Sequence, residues 1–383
     1  MTPTVPVARS AYCAGRHSSS PGPSAALGRR PPSAPHRATF LVRTILMATL
    51  LAGPAFSAVP ETPSSEFADG EILDRQPCSW PDFASYADWR EFMAGGPPNM
   101  DERIYDEFFT EAAYERFRRG EDTRCEKIVY VSSGLRIVGF LVQPVGSPAP
   151  APAVVYNRGG YGTYGRILFW DLLHMMDLAS RGYAVVASEY RGNWGSEGHD
   201  EGGGADVEDV LNLLRLIDRL PNTDGERIGM LGWSRGGGMT YQSLARTDRI
   251  DAAILVAAGT DAFDSAQRRP DAAAALEPLK HATDDVARER LERSPLRWPE
   301  RLHPETPILI LHGSSDWRVH PGQALAMATR LFELRHPTRF ILYEGADHML
   351  NEYRADVWRE IVAWLDRYVR DQEPRPDMEP HGR

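Results

Sequence analysis

The five residues Gly232-Trp233-Ser234-Arg235-Gly236 constrain the fold of this chain more than any other segment. A short apolar run, residues 228–231, precedes them, and a stretch typical of a helix follows as far as Arg246. A strand that turns sharply into a helix around Gly-x-Ser-x-Gly presents the serine at the carboxyl edge of a parallel sheet, and the glycines leave room for the tight turn. The pattern therefore predicts that Ser234 is a nucleophile.

Two further strand-like runs end in residues that complete such a site. Residues 307–311 lead into a small polar loop with Asp316, and residues 339–343 lead into a loop with His348. An open α/β sheet carries its active site beyond the carboxyl ends of its strands, so these residues are expected at one edge. A serine hydroxyl needs an imidazole to take its proton and a carboxylate to orient that imidazole. The sequence predicts His348 as the base and Asp316 as the acid.

Other acids and histidines have alternative interpretations. Asp347 is the rival acid, but a residue next to the histidine in an extended or turn segment points elsewhere, which favours Asp316. His312 is expected to be structural, and His174 to lie in the core or an interface. For His320 a surface loop is favoured, and lining the pocket is the alternative. No pair of histidines has metal-ligand spacing with a third ligand nearby. We therefore expect no catalytic metal and no cofactor.

The negative charge that develops on a substrate oxygen needs N–H donors. The backbone amide of Arg235, the residue after the serine, is the expected first donor, and only its amide is needed. A strand-like run, residues 153–156, leads into a glycine-rich loop, residues 157–162, whose bare backbone can approach a substrate. Gly160 or Tyr161 is predicted to be the second donor. A phosphate-binding loop is disfavoured because no Gly-Lys-Ser/Thr follows.

Four segments together resemble the catalytic domain of the prolyl oligopeptidase family of serine peptidases. They are residues 189–195 (EYRGNWG), 206–237 (ending in GWSRGG), 312–323 (HG, then DWRV, then Gln323) and 345–348 (GADH). The resemblance covers roughly residues 127–370. It implies an α/β-hydrolase fold, a triad of Ser234, Asp316 and His348, and a preference for short peptides or their N-acylated and ester relatives.

Three departures from the family pattern bear on the substrate. Asn157 and Arg158 precede the paired glycines where family members carry a His-Gly-Gly or Tyr-Gly-Gly type sequence, and Arg235 stands where tyrosine is common. Fewer than ~70 residues separate a targeting segment from the catalytic domain, too few for a β-propeller. The leading interpretation is a peptidase for small peptides. The alternatives are a carboxylic ester hydrolase with the same triad and, more remotely, a non-catalytic binding protein.

Residues 126–371 alternate between strand-like and helix-like runs. These are a hairpin around Gly134, a helix near 167–180, a strand at 184–188, a helix at 207–220, a strand at 252–257 and a closing helix at 355–369. The alternation predicts an α/β fold with a mostly parallel, doubly wound sheet and helices on both faces. Residues 261–299 interrupt the pattern and are predicted to form a lid-like insertion. Residues 372–383 are predicted to be a polar tail.

Residues 59–125 are predicted to form a small helical segment. The prediction rests on aromatic residues spaced by three and four, which are Trp80, Phe83, Tyr86, Trp89 and Phe92. Such a stripe is more typical of core packing than of a ligand site. Cys78 and Cys125 are the two cysteines beyond residue 58. In an oxidising compartment an even pair favours a disulfide, and two unpaired buried thiols are the alternative.

Residues 1–58 have the pattern of a targeting segment. They contain six arginines and no acidic residue, and an apolar run at 44–52 is followed by small residues at 55–58. The run is too short to span a bilayer, so we expect export to the periplasm or medium after cleavage near residue 58, with no stable membrane anchor. An organelle transit peptide is the alternative. Removal of six positive charges takes the formal charge from −10 to −16, which disfavours nucleic acid and anionic membrane surfaces as partners.

Overall fold

The computed structural model describes residues 66–78, 85–94, 110–162, 165–270 and 285–382 of the 383-residue chain. The targeting segment predicted at residues 1–58 lies outside the described residues, as do Trp80, Phe83 and the side chain of Phe92. Within the described part, none of the helices is both long and apolar enough to cross a bilayer.

The described residues form one nine-stranded sheet. Its strands are β1 Ile72–Pro77, β2 Thr123–Ser132, β3 Leu135–Pro144, β4 Ala151–Asn157, β5 Ala184–Ser188, β6 Thr223–Trp233, β7 Ala252–Val256, β8 Ile308–Gly313 and β9 Thr338–Tyr343. Their order across the sheet is β1-β2-β3-β5-β4-β6-β7-β8-β9. The first three pairs in this order, β1-β2, β2-β3 and β3-β5, are antiparallel. The remaining five pairs, from β5-β4 to β8-β9, are parallel. The predicted mostly parallel α/β sheet is confirmed.

Helices connect the strands and cover both faces of the sheet. They are α1 Tyr86–Ala94, α2 Glu111–Arg119, α3 Phe169–Ser180, α4 Val207–Ile217, α5 Arg235–Leu244, α6 Ala262–Arg268, α7 Val286–Glu292, α8 Pro321–Glu333 and α9 Arg354–Leu365. One apolar cluster contains side chains of α3 and α9, and the other contains side chains of α4, α5 and α8. A single wide π turn, Asp366–Arg370, extends α9.

The central strands are apolar along their whole length because both of their faces are buried. Successive side chains of a strand point to opposite faces. In β4, Val154 belongs to the cluster with α3 and α9, whereas Val155 belongs to the cluster with α4, α5 and α8. Both valines are completely buried. Burial of each such side chain stabilises the fold by about 1.5–3 kcal/mol, so the two clusters fix the strand register below the site.

The N-terminal segment contains a strand as well as the helices that the sequence predicted. Helices α1 and α2 are present, and the rings of Trp89 and Tyr114 stack with centroids 5.5 Å apart. However, Ile72–Pro77 forms strand β1, which pairs with β2 at the edge of the sheet. Strand β2 begins at Thr123, so it also crosses the predicted boundary at residue 125. Most of β1 is partly exposed, as edge strands are, and its apolar signal is correspondingly weak.

A disulfide joins Cys78 and Cys125, the pairing that the sequence favoured. The two Cα atoms are 5.4 Å apart, and the bond closes a separation of 47 residues. The amide of Cys78 also donates to the carbonyl of Cys125 at 3.1 Å. The end of β1 is therefore tied covalently to β2.

The predicted insertion at 261–299 contains α6, α7 and the 3-10 turn Pro295–Arg297, while residues 271–284 lie outside the described residues. Gln323 of α8 fixes the start of this insertion. Its Oε1 accepts hydrogen bonds from the amides of Thr260 and Asp261 at 2.9 and 3.0 Å. Its Nε2 donates to Asp264 at 2.8 Å and to Ser265 at 3.0 Å. The insertion therefore starts from a fixed base, and its action as a lid stays a prediction.

Candidate active site

Ser234 occupies a sharp turn between β6 and α5. Its φ of 55° and ψ of −119° are costly for a residue with a side chain. The turn is tight enough that a Cβ at Gly236 would lie 1.9 Å from the carbonyl oxygen of Asn157. The amide of Ser234 donates to the carbonyl of Val256 in β7 at 2.8 Å. The glycine and the strand contact together hold the serine in the strained conformation typical of a nucleophile.

The structure brings Ser234, His348 and Asp316 into one chain of hydrogen bonds. His348 Nε2 lies 2.9 Å from Ser234 Oγ, and His348 Nδ1 lies 2.8 Å from Asp316 Oδ2. The three residues come from the ends of β6, β8 and β9, the strand ends that the sequence indicated. Because both ring nitrogens are engaged, the imidazole is oriented to take a proton from the hydroxyl.

The Asp316 carboxylate is held in its ionised form. Burial alone would raise the pKa of Asp316, but hydrogen bonds from His312 and His348 outweigh burial and lower the pKa well below its usual value. The other oxygen, Oδ1, accepts from the amides of Arg318 and Val319 at 2.8 and 2.9 Å. A charged Asp316 selects the His348 tautomer with its proton on Nδ1, which leaves Nε2 free to accept from the serine.

Asp347, the rival acid, has a different role. Its Oδ1 accepts from the amide of Met349 at 2.8 Å, which closes a short turn. The backbone of this turn packs closely on the end of β8, since a Cβ at Gly313 would lie 2.3 Å from the carbonyl of Ala346. Asp347 thus shapes the loop that carries His348, while Asp316 makes the contact with the imidazole.

Three other histidines that the structure describes have partners other than Ser234. His312 is buried, and its Nε2 lies 3.0 Å from the Val319 carbonyl and 3.3 Å from Asp316. His320 is exposed and accepts from the amide of Gly322 at the start of α8. His174 is buried in α3, and burial together with Arg354 holds the pKa of His174 well below its usual value. Among the described residues, no group of three or more His, Cys, Asp or Glu side chains is arranged to hold a metal ion.

The glycine-rich loop, residues 157–162, lies directly beside the serine. A Cβ at Gly159 would be 3.3 Å from the Cβ of Ser234. Gly160 has a φ of 75°, in the left-handed region that favours glycine. The guanidinium of Arg158 donates to the carbonyl oxygens of Gly159 at 3.0 Å and Gly160 at 3.4 Å. The carbonyl groups of Gly159 and Gly160 therefore point toward the buried arginine.

The side chain of Arg235 is a feature that the sequence analysis missed. It is 2% exposed and forms ion pairs with Asp200 at 2.6 Å and with Asp206. Its Nη1 also donates to the Gly160 carbonyl at 3.1 Å. The residue after the serine therefore carries a buried charge as well as a backbone amide. The sequence carries only a partial signal, because an arginine at the start of a buried helix needs a carboxylate partner but nothing local identifies which acidic residue supplies it.

A second buried ion pair contacts the same loop, since the guanidinium of Arg158 also donates to the Gly160 carbonyl. Arg158 Nε is 2.8 Å from Glu189 Oε2, and both side chains are at most 4% exposed. Burial lowers the pKa of Arg158 despite the opposing effect of Glu189, and burial likewise raises the pKa of Glu189 despite Arg158. The guanidinium groups of Arg158 and Arg235 lie 4.6 and 4.9 Å from the ring centre of Tyr190. Both cations therefore lie against the ring of Tyr190, near the Gly160 carbonyl that they share.

A cavity of about 270 Å³ adjoins the acid of the site. It lies between the end of α6 and the loop after β8 and is lined by Ser265, Arg268, Arg269, Asp316, Trp317, Arg318, His320 and Gln323. A larger cavity of about 390 Å³ lies at the opposite end of the sheet, where Asp251 and Pro307 precede β7 and β8. Of these two cavities, the smaller is lined by a residue of the Ser234, His348 and Asp316 chain, and that residue is Asp316.

Comparison with known proteins identifies the family of this chain. The sequence model of the family described as "Prolyl oligopeptidase family" matches residues 170–372. "Uncharacterized peptidase YtmA" of Bacillus subtilis is 28% identical over 249 residues, which is 64% of this chain and 94% of that protein. The human acylamino-acid-releasing enzyme is 28% identical over 266 residues, which is 62% of this chain and 34% of that protein. The dipeptidyl-peptidase 5 of Porphyromonas gingivalis is 28% identical over 235 residues, 57% of this chain and 34% of that protein.

Solved structures agree on the fold. An acylaminoacyl peptidase of Pyrococcus horikoshii superposes with a TM-score of 0.59 at 21% identity, over 69% of this chain and 45% of that chain. A puromycin-hydrolyzing peptidase of Mycobacterium tuberculosis superposes with a TM-score of 0.54 at 23% identity, over 64% and 39%. The chain spans nearly all of the Bacillus relative but about a third of the human and Porphyromonas relatives. The family model covers more than half of the sequence, so this chain belongs to the prolyl oligopeptidase family of serine peptidases.

Proposed function

We propose that this protein is an exported serine peptidase that cleaves amide bonds of small peptides through an acyl-enzyme. The observation that carries the proposal is the pair of hydrogen bonds, 2.9 and 2.8 Å long, that links Ser234 through His348 to Asp316. These contacts occur at the carboxyl ends of parallel strands in a chain of a serine peptidase family. Such a geometry serves acyl transfer, because it makes a serine hydroxyl nucleophilic at neutral pH.

The chemistry follows from the contacts. Ser234 Oγ attacks the carbonyl carbon while His348 Nε2 takes the hydroxyl proton, and Asp316 stabilises the resulting imidazolium. His348 then gives that proton to the leaving amine, which leaves the acyl group as an ester on Ser234. Water, deprotonated by the same imidazole, hydrolyses the ester and restores the serine. The amide of Arg235 and the amide of Gly160 or Tyr161 stabilise the negative oxygen in both steps.

The similarity to peptide-cleaving relatives supports a peptide substrate. The relatives named as an acylamino-acid-releasing enzyme and a dipeptidyl-peptidase both act, by name, on peptides or acylated amino acids. The cavity of about 270 Å³ beside Asp316 has room for a small group rather than for a folded chain. We therefore assign short peptides, free or acylated at the amino terminus, as the substrate class.

Two observations support the export part of the proposal. Residues 1–58 combine a basic flank with a short apolar run and small residues at 55–58. The Cys78–Cys125 disulfide is typical of proteins that fold in an oxidising compartment. We expect the protein recovered from periplasm or culture medium to begin near residue 59 when its amino terminus is sequenced. An intact amino terminus on protein retained in the cytoplasm would contradict export.

Activity is tested on the processed protein with two matched substrate sets. N-acylated, aminoacyl and X-Pro p-nitroanilides report amide cleavage, and short-chain p-nitrophenyl esters report ester cleavage. The Ser234→Ala variant controls for background in both sets. We expect anilide turnover that is lost in the variant, and covalent labelling of Ser234 by a fluorophosphonate. Ser234-dependent turnover of esters alone would replace the peptidase with an esterase, and no dependence on Ser234 with either set would overturn catalysis altogether.

A further inference from the structure

We propose that the side chain of Arg235 positions the glycine-rich loop so that its amide groups face the reacting carbonyl. This inference rests on the proposed function, since it concerns the same reaction. Arg235 would then contribute twice: its backbone amide is one donor to the negative oxygen, and its guanidinium fixes the loop that carries the other. It is a positioning residue in the second role, because the guanidinium contacts the loop and two carboxylates.

The contacts of Arg235 extend from the turn at Ser234 to two points of the loop. Nη1 donates to the Gly160 carbonyl at 3.1 Å and to Asp200 at 2.8 Å. Asp200 Oδ2 in turn accepts from the amide of Gly162 at 3.4 Å. The planar guanidinium also lies 4.6 Å from the ring centre of Tyr161. The loop is thus held at three successive residues by one side chain and its carboxylate partner.

Peptide geometry converts these contacts into a direction for the amide groups. A peptide unit is planar and trans, so its N–H points opposite to its C=O. The Gly160 carbonyl points at Arg235, and therefore the N–H of Tyr161 points away from it. The Gly159 carbonyl points at Arg158, and therefore the N–H of Gly160 also points away from the buried arginines. Both predicted donors are turned outward on the loop that touches Ser234.

Buried charges make this arrangement rigid. Burial alone would lower the pKa of Arg235, but the carboxylates of Asp206 and Asp200 outweigh it and raise that pKa. Asp206 is itself fixed by hydrogen bonds from the amides of Gly203 and Gly204 at 3.0 and 2.6 Å. A planar fork that contacts two fixed carboxylates has one orientation, so its third contact, with Gly160, is fixed as well.

The test compares how well each variant stabilises the negative charge that develops on the substrate oxygen. We would measure kcat and KM for an N-acyl p-nitroanilide, and the ratio of the rates for a matched ester and thionoester. Sulfur is a poor hydrogen-bond acceptor, so a functioning oxyanion site accelerates the ester selectively. For Arg235→Met we expect kcat to fall about 100-fold with little change in KM. We also expect the ester-to-thionoester ratio to fall toward that of uncatalysed hydrolysis.

Arg191→Met is the matched control. Arg191 is also a largely buried arginine, paired with the buried Asp209 at 2.8 Å, and its partners do not include the glycine-rich loop. We expect it to destabilise the protein while leaving the rate ratio at the wild-type value. An Arg235→Met protein that is folded and retains the wild-type ratio would overturn the proposal, whether or not its kcat has fallen.

Arg235→Lys covers the case in which Arg235→Met does not fold. Lysine keeps the positive charge between Asp200 and Asp206, but a single ammonium does not reproduce the fork that also reaches Gly160. We expect a folded protein with a reduced ratio, and a wild-type ratio would count against the proposal. A crystal structure of the same variant separates this inference from the proposed function. A Gly160 carbonyl rotated away supports positioning even if no substrate is turned over, and an unchanged loop refutes it.

Discussion

Replacement of Asp200 by asparagine removes one of the two carboxylates that neutralise Arg235. Asp200 is 5% exposed and binds the guanidinium with both oxygens, at 2.8 and 2.6 Å. Burial alone would raise the pKa of Asp200, but Arg235 outweighs it and brings the pKa down to about 2. In the unfolded chain the pKa of an aspartate is about 3.9. The folded state therefore binds the Asp200 proton less tightly than the unfolded state does.

This difference sets both the size and the direction of a pH effect. Each pKa unit corresponds to about 1.4 kcal/mol, so ionised Asp200 contributes about 3 kcal/mol to the free energy of unfolding. Because the folded pKa is depressed, the contribution is complete above pH about 4 and disappears as the pH falls toward about 2. By pH 3, about 1 kcal/mol of it is lost.

Urea unfolding of the disulfide-intact protein measures the effect. At pH 7 the wild-type protein should have a larger free energy of unfolding than Asp200→Asn. This difference between the two proteins should be smaller by about 1 kcal/mol at pH 3. Asp218→Asn is the control, because Asp218 pairs with Arg249 at the surface and its loss should cost less than about 1 kcal/mol. A gap between wild type and Asp200→Asn that stays constant or widens on acidification would refute the reasoning.

Three further predictions concern other contacts. Asp316→Asn should lower kcat about 10⁴-fold, because it favours the wrong imidazole tautomer, whereas Asp347→Asn should retain activity; equal losses in steady-state assays would contradict the assignment. Reduction of Cys78–Cys125 should lower the free energy of unfolding by about 4 kcal/mol, and thermal melts that coincide with and without reductant would disprove this. Because the pKa of His174 is lowered by burial and Arg354, the free energy of unfolding should decrease as the pH falls below about 6.5. His174→Gln should flatten that decrease in pH-dependent unfolding, and an unchanged slope would argue against it.

The parts of the site that could be predicted are those that depend on local sequence patterns. The glycines around Ser234 and the polar loops with Asp316 and His348 each follow an apolar run, and the runs are strands β6, β8 and β9. Parallel strands bring their carboxyl ends to one edge, so local patterns were enough to bring distant residues together. Strand β5 was predicted at its observed bounds for the same reason, since a strand buried on both faces is apolar throughout.

The parts that were missed depend on contacts between segments. Strand β1 has no strong apolar pattern of its own, and its partner, β2, is what makes it a strand. The role of Arg235 was limited to its amide because nothing local shows where a guanidinium lies. Its partners, Asp200 and Asp206, are 29 to 35 residues away in a glycine-rich stretch that reads as a solvated loop. Burial of that stretch is a property of the folded chain.

The buried charges beneath the glycine-rich loop cost stability that an apolar core would not. Five charged side chains, Arg158, Glu189, Asp200, Asp206 and Arg235, are each at most 5% exposed. Ion pairs of this kind are often no more stabilising than apolar residues of similar volume. They do fix orientation, since each guanidinium reaches a loop carbonyl and a carboxylate together. Proteins tolerate a loss of stability at functional sites, and these charges lie beside the strained Ser234. The geometry that they impose on the loop is therefore the best explanation for them.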